Sequence, residues 1–345
     1  MSATNSQLRD KTLITIKEVA ELAGVSQSTV SRALNGHQSV KPSNKEKVFA
    51  AIEKLGYKPN AFAQALASNK SFSIGMLVGT LDGPFYGPLM HNVEEIVRAQ
   101  NYHLIITSGY ESYEREQDSI QFLNAKKVDG FVLIPDMLSD NDILEIVSTS
   151  PATVVLNRYI PEIADKCIRI DNELGGYLAV DYLVNKGHKK IGCVTGQLSK
   201  VDSRERLQGY RNALSAHGIE YNASLVVEGR FDYQENDEAI KRLLNRDPEI
   251  SALFCMNDNI AVMAYNVCKD RGLTVGEDIS IVGFDNNNYS QYMSPPLTTI
   301  DFPIKDMAIQ GAKCVLNSLM GRSNDGIDKM LLPTLIERHS VKALS

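Results

Sequence analysis

The chain has 345 residues, 43% hydrophobic and 23% charged, which is ordinary for a water-soluble globular protein and too long for one compact core. Its net charge of −6 is unevenly spread: residues 1–70 hold ten Lys/Arg against five acids, so this segment carries +5 and the remainder −11. A small basic head on an acidic body suits a polyanionic partner engaged by the head alone, and chance clustering is the plain alternative. The five cysteines, Cys167, Cys193, Cys255, Cys268 and Cys314, form no CxxC pair, so neither a zinc site nor a disulfide framework is expected. The chain shows no apolar run near the roughly 18–20 residues of a membrane span, and MSATNSQLRDKTLITIKEV carries no apolar signal core. A cytoplasmic protein is expected, with no metal and no cofactor.

In chain order, Thr15-Ile16-Lys17-Glu18 reads as a capping box opening a first helix, with Val19, Ala20, Leu22 and Ala23 as its apolar side and Gly24 as its end. Ser26 can cap a second helix over Gln27–Leu34, with Val30, Ala33 and Leu34 inward and Asn35-Gly36 as its stop. Two short helices around a Gly-containing turn describe a helix-turn-helix. Ser43-Asn44-Lys45-Glu46 reads as another capping box, opening a third helix with Val48, Ile52 and Leu55 at i, i+4 and i+7. The second helix exposes Gln27, Ser28, Thr29, Ser31 and Arg32, short or forked donors suited to base edges and phosphates in a major groove. A three-helix bundle with a Ser-rich surface explains the same residues. After Tyr57-Lys58-Pro59-Asn60, where Asn60 can cap, the Ala-rich run 61–67 is a good helix former too short to stand alone, hence a hinge candidate. Leu66 is either a wedge for a minor-groove step or a packing residue.

The stretches ITIKEVAELAGVSQSTVSRALNG and GYKPNAFAQALA closely resemble the N-terminal signature of the lactose/galactose repressor family, and the similarity runs through the rest of the chain. The resemblance implies that Gln27, Ser28 and Arg32 read bases, that Thr15, Ser26, Thr29, Ser31, Asn35 and Asn60 contact the DNA backbone, and that Leu66 is the wedge. It implies domains at 13–58 (helix-turn-helix), 59–70 (hinge helix and linker) and 71–345 (effector-binding and dimerisation core). Within that core the first subdomain would comprise about 71–171 and 302–330, the second about 172–301 and 331–345.

From Ser73, strand candidates at 73–79, 103–109, 130–135, 152–157, 190–196, 252–257 and 278–285 alternate with helices around 87–100, 113–125, 174–186, 203–217 and 258–271. The units divide near residue 171 into two similar halves. The expected fold is therefore a small all-α helix-turn-helix head on an α/β body of two doubly wound parallel-sheet subdomains. The loops after the strands carry Asp82, Phe85, Tyr86, Asn157-Arg158, Arg206, Phe231, Asn257-Asp258 and Asp285. Planar polar groups that pair with neighbouring hydroxyls, beside rings that cover an apolar sugar face, favour a polyhydroxylated ligand in a shared cleft. A single Asp at a strand end more often caps the next helix. The family's effector core, itself similar to periplasmic sugar-binding proteins, places ligand residues at Arg206, Asn257 and Asp285 and an aromatic at Phe231. The flanking text, including LNRYIP and LIERHS, is most like the galactose-repressor branch, then the β-glucoside one.

No catalysis is expected. GTLDGPFYG (79–87) is neither GxGxxG nor GxxxxGK[ST], and GxSxG and HExxH are absent. The six histidines are scattered, with His188 reading as a turn residue near a helix end where positive charge is favourable. The partners implied are a near-palindromic operator in double-stranded DNA, a small sugar and a second copy of the chain, with no membrane. A free-standing sugar receptor would have the same body but no use for the basic head.

Overall fold

The computed structural model describes residues 14–34, 39–57, 70–231 and 236–344, so the expected roles of Asn35, Asn60 and Leu66 lie outside the described residues. The chain divides into two compact units, residues 1–71 and 72–345.

In the first unit, α1 (Ile16–Ala23) starts at Thr15, where the Glu18 carboxylate accepts from the Thr15 amide at 2.7 Å and from its hydroxyl at 2.9 Å. Gly24 closes it in the left-handed region, φ 66°. In α2 (Gln27–Leu34) the Ser26 hydroxyl accepts from the Thr29 amide at 3.2 Å, which is the expected cap. The third helix corrects the sequence reading: α3 (Pro42–Leu55) is capped by Lys41, and Ser43 lies inside its first turn. Pro42 at the first helical position has its φ preset and no amide to leave unpaired, so the start moves upstream of the Ser43 box. Val19, Ala20, Ala23, Val30, Ala33, Val40, Val48 and Ala51 form the core of this bundle. Leu22, expected on the apolar side, is 45% exposed. The buried stripe 16/19/20/23 leaves position 22 about 100° round the helix from 23.

The second unit contains two six-stranded sheets. The first has the order β11 (Met330–Leu331), β5 (Cys167–Ile170), β4 (Thr153–Leu156), β3 (Gly130–Leu133), β1 (Ser73–Val78), β2 (His103–Ser108), all parallel. The second has the order β12 (Thr334–Ile336), β10 (Thr298–Asp301), β9 (Ser280–Asp285), β8 (Ala252–Cys255), β6 (Ile191–Thr195), β7 (Val226–Glu228), parallel except for β12. Strands covered on both faces read as unbroken apolar runs, as β3, β4, β6 and β8 do, each buried along its whole length. The first half carries helices α4 (Tyr86–Arg98), α5 (Tyr113–Ala125) and α6 (Asp140–Thr149). The second carries α7 (Asn172–Asn185), α8 (Val201–Ala216), α9 (Asn236–Arg246) and α10 (Asp258–Asp270). α11 (Ile304–Leu319) returns to pack on α4 and β4 of the first half. The chain thus crosses between halves three times, after β5, after β10 and between β11 and β12, always at the same edge of the sheets.

His188 also departs from its reading. It is fully buried, with Nδ1 2.9 Å from the Ser251 hydroxyl and Nε2 3.1 Å from the Lys342 carbonyl. Burial holds its pKa below the ordinary value, so the site keeps a neutral imidazole and not the positive charge expected of a helix end.

Candidate functional site

The loops at the carboxyl ends of β1 to β4 and of β6 to β9 enclose one cavity of about 780 Å³. Of the ten loop residues named from the sequence, Asp82, Phe85, Tyr86, Asn157, Arg158, Arg206, Phe231, Asn257 and Asp285 line it, and Asp258 does not.

Arg206 is its best-anchored group. It projects from α8, where Gly209 in the same RLQGY segment lets the helix approach α7 so closely that a Cβ there would lie 2.1 Å from the Glu173 carbonyl. Arg206 Nε donates to Asn172 Oδ1 at 3.0 Å and Nη1 donates to the Met256 carbonyl at 2.5 Å. The guanidinium lies 3.7 Å from the Phe284 ring centre and 5.4 Å from that of Phe231. Asp285 ends β9 at φ 105°, a conformation L side chains rarely adopt, with Oδ1 3.7 Å from Arg206 Nη1. Burial pushes the Asp285 carboxyl well above the usual carboxylate range, with Arg206 opposing.

The Phe231 ring lies directly on Gly196, where a Cβ would be 2.5 Å from it. The Phe231 carbonyl accepts from the Asn257 and Asn259 side chains at 2.8 and 2.9 Å. Asn257 also caps α10, its Oδ1 accepting from the Ile260 amide at 2.9 Å, which leaves one amide hydrogen and one lone pair for other use. Opposite, Phe85 packs edge-on against Tyr86 and Phe302, ring centres 5.2 and 5.0 Å away. Asn157 sits at φ 58° with a buried Oδ1 that has no hydrogen-bond partner among the described residues. Asp82 is exposed at the rim and accepts from the Thr80 hydroxyl. Arg158, next to Asn157 in the chain, is committed to the Leu138 carbonyl and Asp140, both at 2.6 Å. Asp258, which follows Asn257 in the chain, is a fold residue: it accepts from the Thr299 hydroxyl at 2.6 Å and the Asn287 amide at 2.7 Å, and burial raises its pKa to about 7.

Sequence reasoning missed a second group that lines the same cavity: Glu111, Asp136, Lys200 and Arg230. Lys200 in the TGQLSK segment directly after β6 was the available signal. Their pairing joins residues up to 119 positions apart, which no local pattern carries.

In the head, Gln27, Ser28 and Arg32, expected to read bases, are the exposed members of α2 among the five donors, while Thr29 and Ser31 are half-buried. The Ser26 hydroxyl lies 2.8 Å from the hydroxyls of both Ser28 and Thr29. Thr15 is exposed, with its hydroxyl turned to Glu18.

Residues 15–60 match the model of the lacI family of bacterial regulatory proteins, and residues 180–341 match a periplasmic binding protein-like domain. The HTH-type transcriptional regulator GalR of Escherichia coli (strain K12) is 36% identical over 333 residues, covering 96% of this chain and 97% of that protein. The chain belongs to the lacI family of bacterial regulatory proteins. Two solved structures of transcription regulators are similar over nearly the whole chain. The Lac repressor dimer bound to operator and the anti-inducer ONPF superposes with a TM-score of 0.83 at 28% identity, covering 96% of this chain and 99% of that one. The complex of the transcriptional regulator CelR with cellobiose superposes at 0.71 and 28% identity, covering 95% and 99%. This lacI-family chain is thus a DNA-binding transcription regulator, a helix-turn-helix head with a periplasmic-binding-protein-like body of two parallel sheets.

Proposed function

We propose that the chain represses sugar-utilisation genes as a homodimer and leaves its operator when a sugar of the galactose or β-glucoside/galactoside type enters the 780 Å³ cavity. One observation carries this reading: two facing sheets bring a forked cation, a carboxylate, two amides and three aromatic rings to one cavity. Arg206, Asp285 and Asn257 would pair with adjacent hydroxyls, and the orphaned Asn157 Oδ1 would accept from another. Phe85, Tyr86 and Phe231 would cover the apolar face.

In the head, Gln27, Ser28 and Arg32 would enter the major groove, with Thr15, Ser26, Thr29, Ser31, Asn35 and Asn60 on phosphates and Leu66 as the minor-groove wedge. Residues 59–70 would order as hinge helices only when paired on the operator, and α4 and α10 would supply dimer contacts. A ligand regulates by favouring one relation of the two halves over another. Here sugar would shift the first halves across the dimer interface and release the paired hinges. The protein would act in the cytoplasm, without catalysis or cofactor. In the reverse scheme the ligand is a co-repressor and tightens binding.

The test is operator binding by the purified protein on DNA adjoining its own gene, titrated with galactose, β-glucosides, other sugars and purines. Release by one sugar is the expected result. Tighter binding with a ligand reverses the sign of regulation, and specific binding that no sugar alters removes the effector reading.

A further inference from the structure

The cavity has a mouth, and polar side chains from both halves meet across it. Glu111 follows β2 and Asp136 follows β3, while Gln197 and Lys200 follow β6 and Arg230 follows β7. Lys200 Nζ lies 2.7 Å from Glu111 Oε1 and 3.2 Å from Asp136 Oδ1. Arg230 Nη2 lies 2.9 Å from Glu111 Oε2, and Gln197 Nε2 donates to the same oxygen at 3.0 Å. β2 and β7 are the edge strands of their sheets, whereas all three crossovers leave from the other edge, at β5, β10, β11 and β12. These pairs therefore act at the far end of the lever, where any opening of the cleft separates partners first.

We propose that Glu111, Lys200 and Arg230 form an ionic clasp that holds the mouth shut without ligand, so that ligand entry waits on its rupture. Three observations support it beyond the distances. Lys200, the centre of the clasp, is only 17% exposed, so solvent screens its pairs less than a surface pair, while Glu111 and Arg230 are 35% and 39% exposed. Tyr110 and Glu111 have φ of 48° and 56°, strained values that persist only where surrounding contacts over-determine them. Burial alone would raise the Glu111 carboxyl, yet Lys200 and then Arg230 bring it below its ordinary value. The link to ligand entry rests on reading the cavity as the effector site. The closure itself is measured without ligand, so either idea can fail alone.

The experiment uses the full chain with spin labels at Asn124→Cys on α5 and Arg242→Cys on α9, both exposed; all five native cysteines are buried. Distances between the labels are recorded by pulsed electron resonance with no sugar present. A dominant short distance is expected in this background, moving to a dominant long distance when Lys200→Met and Glu111→Gln are added. Should that combination not fold, Lys200→Gln alone in the same labelled chain gives the comparison, with a smaller shift the same way. A labelled background already dominated by the long distance overturns the clasp, and so does a folded variant whose distances do not move.

Discussion

Arg206 shows how one side chain can be legible as a site residue while its environment is not. Its place in RLQGY marks it, but its lock between Asn172, the Met256 carbonyl, Asp285 and two rings depends on four other segments. Arg206→Lys keeps the charge and loses the fork and the stacking. We expect sugar response to fall at least about tenfold while operator binding persists, since an interaction worth about 1.4 kcal/mol is a decade in affinity. Operator titrations with and without sugar check this; a variant that folds and loses DNA binding instead would remove Arg206 from the effector site. His188 gives a second residue-scale prediction. Its folded pKa lies below the unfolded value of about 6.5, so its stability contribution is complete above that pH and is lost as pH falls towards the folded value. Asp258, raised to about 7, works the other way, because its protonated form is the one burial tolerates. The difference between wild type and His188→Gln therefore isolates the histidine: midpoints of thermal unfolding from pH 8 to 5 should fall more steeply for wild type.

At the scale of elements, the seven strands read from the sequence are those whose apolar runs stand between clear turns, and each is present. The sequence does not mark β5, β7, β10, β11 and β12: they are two to four residues long, and in the first three Arg169, Glu228 or Thr298-Thr299 interrupts the apolar character. The strand order, and the three crossings that make one cavity from two halves, follow from packing and are carried by no single segment. The α7/α8 contact shows such packing acting on the site. Gly176 and Gly209 bring the two backbones together; a Cβ at Gly176 would lie 2.3 Å from the Arg206 carbonyl. Gly209→Ala should force the helices apart at a cost of about 1–3 kcal/mol, in the range seen for overpacked cores, and displace Arg206 with α8. Urea unfolding measures the first and sugar titration the second. Lost stability with unchanged sugar affinity would show that α8 tolerates the shift.

For the whole molecule, the division of charge was the most legible feature, because ten bases against five acids in 70 residues needs no structure to count. It also makes a prediction that separates two ways of switching off. Binding by a basic head depends on counterion release, so log affinity should fall linearly with log salt, by about 0.9 for each phosphate neutralised. The base-reading contacts add specificity on top, and Arg32→Ala should cost about 1–3 kcal/mol on operator and little on random DNA. If sugar acts by releasing the hinge and leaves the head folded, saturating sugar should remove most operator preference. Weak, steeply salt-dependent binding to random DNA would survive, because the charges of the head are untouched. If sugar instead parts the two copies, affinity for random and operator DNA should fall together, and the salt slope should drop to about half as one head replaces two. Fluorescence anisotropy on operator and random duplexes, with and without sugar across a salt series, distinguishes the two; the hinge mechanism requires the slope on random DNA to stay unchanged.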